Sequence, residues 1–219
     1  YGPGNDPLKA YGKTTDLIAM GGAQYVHTFD KCFFMPSDLT AGLEYNRDRL
    51  KDNMWGYNRH TDQTVNIYSA FLQNEWKNDR WGILIGGRLD KHNMVDNVIF
   101  SPRANLRFNP TQNINLRLSY SSGFRAPQAF DEDMHIENVG GTVAMIERAK
   151  DLKEEKSQSF SVSADMYHRF GAFQTNLLIE GFYTRLTDVF VLGKPYDRGD
   201  GILVKTRSNG PGAKVMGLT

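Results

Sequence analysis

The segment Ile114–Ser121 reads INLRLSYS, with Ile114, Leu116, Leu118 and Tyr120 alternating strictly with Asn115, Arg117, Ser119 and Ser121. A period of two marks a strand with two unlike faces, because successive side chains point to opposite sides of a sheet. The period recurs along the chain. Leu39, Ala41, Leu43 and Tyr45 oppose Thr40, Gly42, Glu44 and Asn46. Trp81, Ile83, Ile85 and Leu89 oppose Gly82, Leu84, Gly86, Arg88 and Asp90. Val98, Phe100, Pro102, Ala104, Leu106 and Phe108 oppose Ser101, Arg103, Asn105, Arg107 and Asn109, and Phe160, Val162, Ala164 and Met166 oppose Ser159, Ser161, Ser163 and Asp165. Regions 61–77 and 173–192 are long and less regular, and 14–30 and 201–218 are weaker. Nine strands are expected. Several outrun the usual length of about five or six residues. Crossing a bilayer at a tilt takes roughly nine to eleven.

The connections alternate in length. Short ones hold turn residues at 31–38, 78–80, 109–113 and 169–172; longer ones lie near 48–62, 125–155 and 193–201, with 91–97 intermediate. This predicts an all-β, antiparallel up-and-down meander with short turns at one edge and long loops at the other, the asymmetry of transmembrane barrels. Periodicity alone does not say which face is wet. A soluble sheet packs its apolar face inward, whereas a barrel turns it to lipid and lines its lumen with the polar one. Strand length, loop asymmetry and aromatics near strand ends (Tyr45, Trp55, Tyr57, Trp76, Trp81, Phe108, Tyr120, Phe124, Tyr183, Phe190) favour the barrel. Ordinary β-propensity accounts for the same aromatics.

Composition removes other classes. Twenty-six basic and 25 acidic residues, dispersed to a net charge of +1, give no stripe for nucleic acid. The single cysteine, Cys32, has no partner for an internal disulfide and reads as a small apolar filler. No run approaches the roughly 18 apolar residues of a membrane helix, which leaves a β-barrel open. The chain begins at Tyr1 with no basic and apolar leader, which fits a piece of a larger protein.

Several stretches resemble the barrel region of TonB-dependent outer-membrane receptors, of the Bacteroidetes type. They are LTAGLEYNRDRLKD (39–52), AFLQNEWK (70–77) with WGILIGGRLDKH (81–92), SPRANLRFNPTQNINLRLSYSSGFRAP (101–127), KDLKEEKSQSFSVSAD (150–165), LLIEGFYTRLTDVFVL (177–192) and RSNGPGAKVMGLT (207–219). The resemblance implies that residues 1–219 are one partial barrel domain, part of a 22-stranded transmembrane barrel. The plug, the energy-coupling box and the remaining strands would lie outside it. It further implies the Gram-negative outer membrane as location, surrounding lipid, the TonB complex acting through the plug, and a small-molecule metal chelate as cargo: a ferric siderophore, haem or cobalamin. No catalysis, cofactor, resident metal or nucleic-acid partner is implied. Alternatives are a soluble β-sandwich or adhesin-like binding module, import of an oligosaccharide, and a barrel enzyme for which Asp131/His135 is the only acid–histidine pair.

Two residue groups stand out. Asp131, Glu132, Asp133 and His135, with Glu137, form an acidic cluster expected on a long external loop, where its oxygen donors could bind a divalent cation such as Ca²⁺ or close a substrate pocket, or where it is simply solvated. Arg88, Arg103, Arg107, Arg117 and Arg125 fall on polar faces and are expected to line the lumen. There they would steer an anion, brace a plug, or pair with neighbouring carboxylates. The histidines at 27, 60, 92, 135 and 168 are read as isolated. Gly123 and Pro127 are expected to bend the chain as the strand leaves the sheet.

Overall fold

The computed structural model describes residues 12–55, 59–128, 137–139, 142–199 and 202–219, with backbone alone for 137–139 and 142–144. The strands are β1 (Gly12–Cys32), β2 (Met35–Met54), β3 (Arg59–Lys77), β4 (Trp81–His92), β5 (Ile99–Thr111), β6 (Ile114–Arg125), β7 (Glu137–Val139), β8 (Thr142–Arg148), β9 (Glu155–Phe170), β10 (Phe173–Thr187), β11 (Phe190–Leu192), β12 (Tyr196–Asp197), β13 (Ile202–Asn209) and β14 (Ala213–Leu218). Nine of them form one sheet in the order β1-β2-β3-β4-β5-β6-β9-β10-β14, antiparallel throughout. β1 and β14 are its edges, so the sheet is open. One continuous wall of this kind is not two sheets packed face to face, and the sandwich alternative fails.

Register turns the separate alternations into two continuous faces. One row runs Ala23–Leu43–Ala70–Leu89–Phe100 from β1 to β5. Another runs Leu106–Leu118–Val162–Gly181–Leu218 from β5 to β14. A slip of one residue would swap the faces, so the patterns reinforce one another from strand to strand. Leu43, Leu72, Ile85, Leu118 and Val162 stand exposed on the apolar face. Aromatic pairs bracket it: Trp81 stacks on Phe108 at 4.2 Å between ring centroids towards the short-turn edge, and Tyr45 on Tyr68 at 4.9 Å towards the other. On the opposite face a cavity of about 480 Å³ collects Gln24 of β1, Arg88 of β4 and Ser121 of β6. Strands so far apart in the sheet line one space only if that face is concave. Gly42 lies there beneath the Phe71 ring, where a Cβ would come within 2.2 Å of Cζ, so the aromatic replaces the missing side chain.

Short turns at Phe33–Phe34, 78–80, 112–113 and 171–172 all lie at one edge, and the longer connections lie at the other. Phe33 adopts φ +62°, which tightens the first turn to two residues where 31–38 was expected. β1, β2 and β3 hold 21, 20 and 19 residues against 12 in β4, so they project beyond the wall at the long-loop edge. Above the end of β4, the free side of β3 is capped by Asn93, whose Oδ1 accepts from the Asn66 amide and whose Nδ2 donates to the Thr64 carbonyl, both at 2.8 Å.

A second, small sheet at this edge, ordered β11-β13-β8-β7 with β12 paired to β13, departs from expectation. The expected strand at 201–218 is two strands: β13 joins the outer sheet and β14 the wall. The expected strand at 173–192 breaks after β10 at Asp188, φ +54°, and β11 also leaves the wall. β13 pairs in parallel with β8, inside what was expected to be irregular loop. Arg148 ties this sheet to the projecting strands by donating from Nη1 to Gln63 Oε1 at 2.9 Å. Gly123 does not bend the chain: β6 runs on to Arg125 and ends before Pro127. No helix among the described residues is long and apolar enough to cross a membrane.

Candidate functional site

Register places all five arginines on the concave polar face of β4, β5 and β6, in two unlike settings. Arg88 is enclosed: Nη1 lies 2.6 Å from Glu44 Oε2 and Nε 2.8 Å from Asp90 Oδ1, while Ser69 Oγ donates to the same Asp90 oxygen at 2.6 Å. One cation and two carboxylates thus lock β2, β3 and β4 together from inside. Arg107 instead sits directly opposite Arg117, with Arg103 four residues along β5 on the same face. Arg107 Nη2 donates to the Asn78 carbonyl at 3.2 Å, and none of the three is in an ion pair among the described residues. Arg125 lies at the outer end of β6, its guanidinium 5.7 Å from the centre of the Phe190 ring. Phe124, expected at the outer interface, packs against Val95, Ile99 and Ala126.

The acidic cluster Asp131, Glu132, Asp133 and His135 lies outside the described residues, and Glu137 is described only as backbone of β7. The described histidines do not converge, and no group of three metal-binding side chains occurs among the described residues. His92, one residue beyond Lys91 and above the apolar band, is fully buried. Its Nδ1 accepts from the Met94 amide at 3.0 Å, so the proton sits on Nε2, 3.3 Å from Gln128 Oε1. Burial pushes this imidazole below its usual range, against the opposing pull of Gln128 and Asp90.

A cavity of about 640 Å³ lies at the long-loop edge between the outer sheet and the projecting end of β3. Arg59, His60, Glu147, Arg148, Lys150 and Arg198 line it together with Met94, Met145 and Leu152. Two of the cations are already paired. Arg59 Nη2 meets Asp52 Oδ2 at 2.7 Å, and Arg198 approaches Glu147 at 3.8 Å. Arg148 makes neutral contacts, to Gln63 and to the Pro127 carbonyl, and Lys150 has no ion pair among the described residues. Among the described residues the lining therefore carries net positive charge, which suits an anionic or polar small molecule. Sequence reasoning missed these residues. They come together where Arg148 at the end of β8 reaches Gln63 of β3 and Arg198, just after β12, approaches Glu147, contacts between segments far apart in sequence.

The family model "TonB dependent receptor-like, beta-barrel" matches residues 2–218. The chain belongs to the TonB-dependent receptor family. Solved structures agree on the fold. The siderophore receptor PirA from Pseudomonas aeruginosa superposes with a TM-score of 0.81 at 16% identity, over 95% of this chain and 40% of that one. A ferric enterobactin receptor (PfeA) mutant from the same organism, in complex with enterobactin, gives 0.71 at 20% identity, over 97% and 34%. The Serratia marcescens hemophore receptor HasR, in complex with its hemophore HasA and heme, gives 0.74 at 14%, over 94% and 39%. The chain thus spans well under half the length of these relatives, which are receptors rather than enzymes. No curated protein sequence matches it.

Proposed function

We propose that this chain is part of the wall and outer mouth of an outer-membrane receptor that takes up a small anionic metal chelate, driven by a TonB complex. In the whole protein the two open edges continue into further strands of a 22-stranded barrel, which satisfies the edge backbone groups that lipid cannot. The apolar face then meets lipid and the concave face a lumen.

The observation that carries the cargo reading is the cavity at the mouth, where Arg148 and Lys150 leave a net positive charge between the outer sheet and β3. The siderophore and haem receptors among the structural neighbours make iron chelates the first ligands to try. The test is calorimetry on the full-length receptor with a panel of ferric siderophores, haem, cobalamin and neutral oligosaccharides. Binding of an anionic chelate is expected, weakened about tenfold or more by Arg148→Ala with Lys150→Ala, since a charge-assisted hydrogen bond contributes about 1.5–3 kcal/mol. Binding of only a neutral oligosaccharide, or no effect of the double substitution, contradicts the reading.

A further inference from the structure

Two strand edges face each other across the cavity at the mouth. On β3, Asn93 covers the last residues on the β4 side. Its amide donates to the Asn66 carbonyl at 3.1 Å, its Oδ1 accepts from the Asn66 amide, and its Nδ2 donates to the Thr64 carbonyl. Alternate residues of a strand point their backbone groups the same way. Asp62 and His60 therefore aim N–H and C=O at this side too, beyond Asn93, where no described strand pairs with them. The Asp62 carboxylate is turned to Arg49 and Lys51 of β2 rather than across the edge. On β8, the Ala149 amide donates to the Arg207 carbonyl of β13, so Glu147 also points to β13, and Ile146 and Arg148 point away from it. β7 covers that far side only from Thr142 to Ala144. Among the described residues, the N–H and C=O groups of Ile146 and Arg148 have no backbone partner either.

The cavity lies between these edges, with His60 and Thr61 on one side and Met145 to Ala149 on the other. β3 runs from its outer tip at Arg59 towards the wall, and β8 runs the same way, since β9 enters the wall soon after Arg148. One strand of opposite direction can pair antiparallel with both. A bare edge is a template for such pairing, in which main-chain hydrogen bonds give the affinity. Arg148 and Lys150 add charge that no carboxylate among the described residues offsets in an ion pair, and the guanidinium fork suits carboxylates. A small chelate would use this charge but not two rows of backbone groups. We propose that the slot seats an extended acidic segment of a second protein at the cell surface, added as a strand between β3 and β8. The proposal takes from the reading above only that this edge faces outward. Its affinity comes from backbone groups that a chelate does not need, so either ligand can fail alone.

The test uses the full-length receptor in detergent and a blocked peptide, Thr-Glu-Val-Glu-Val-Glu-Thr, as the probe, with the same peptide carrying Lys for Glu as control. Calorimetry is expected to show binding of the acidic peptide only, and that peptide should slow amide exchange at Asp62 and Ile146 together. A strand between two others bonds to its two neighbours through alternate residues. N-methylating either alternate set of peptide amides should therefore weaken binding about tenfold or more, whereas a ligand held by charge alone would tolerate both analogues. One variant reads the same bonds from the receptor. Asp62→Pro, which an edge tolerates, removes an open N–H and should weaken the peptide about tenfold, while Asp62→Asn keeps that N–H and should not weaken it. Four outcomes overturn the proposal: no binding of the acidic peptide up to millimolar concentration; equal binding of the Lys peptide or of either N-methylated analogue; slowing at only one of the two amides; or slow exchange at both before peptide is added, which would mean that the protein's own chain already fills the slot.

Discussion

The nine-stranded wall and the outer cap above it are made of one chain but suited to different solvents. In the wall, across the band from Trp81 to Lys91, large apolar side chains such as Leu43, Leu72, Ile85, Leu118 and Val162 stand exposed on one face. The buried apolar residues, Leu50, Val65, Val95, Ile99, Ala126, Met145 and Val204, lie instead in the projecting strands, the rim and the outer sheet. The cap therefore excludes water in the ordinary way and the wall does not. In the proposed receptor, lipid supplies the missing half of the wall's core. The difference teaches that a substitution must be judged by the surroundings its side chain meets in each region.

The largest expected effect breaks the wall. Leu118→Arg puts a charge on the lipid face at a cost of about 2–4 kcal/mol near the bilayer midplane. The full-length receptor should lose its folded, heat-modifiable gel band, while Ser119→Arg, one residue along and turned inward, should keep it. Next comes Val204→Ala in the outer sheet, where the side chain has no exposed surface. Losing this burial should cost about 1.5–3 kcal/mol, read as faster amide exchange in β8 and β13 with β6 and β9 unchanged.

A smaller effect tests the rim. Burial lowers the His92 pKa, so folding favours the neutral ring. The rim then has its full stability above the ordinary imidazole range and loses it as pH falls below that range towards the lowered folded value. A protonated Nδ1 cannot accept from the Met94 amide. The protection factor at Met94 should drop on acidification by the equivalent of about 1 kcal/mol, and His92→Gln should flatten the dependence. The smallest effect is Asp62→Asn, which removes exposed contacts to Arg49 at 3.8 Å and Lys51 at 3.4 Å. Stability should change by no more than about 0.5 kcal/mol, checked by chemical denaturation.

The wall was readable because each strand carries its own alternation, as in Ile114–Ser121, and the short turns supply register locally. Alternation weakens in β3 and β1 for a visible reason. Inward positions there are also apolar, such as Val65, buried in the projecting end of β3, and Phe71 over Gly42. The outer sheet was not readable, since the parallel register of Val204 on Met145 joins segments far apart in sequence with no turn to set it. The cavity residues share that obscurity. The arginines were found by face; Asp90, two residues beyond Arg88 on the same strand, is a local sign of its pairing, whereas Glu44 reaches Arg88 from β2 only through register.

The central claim is that the apolar face meets lipid and the concave face water. Single cysteines placed at 115–120 along β6 test it most directly, in full-length receptor carrying Cys32→Ser and reconstituted in bilayers. A lipid-soluble quencher should reach labels at 116, 118 and 120, and a water-soluble thiol reagent should reach 115, 117 and 119, in strict alternation. Reversed alternation, or equal access of both reagents to both sets, would contradict the account.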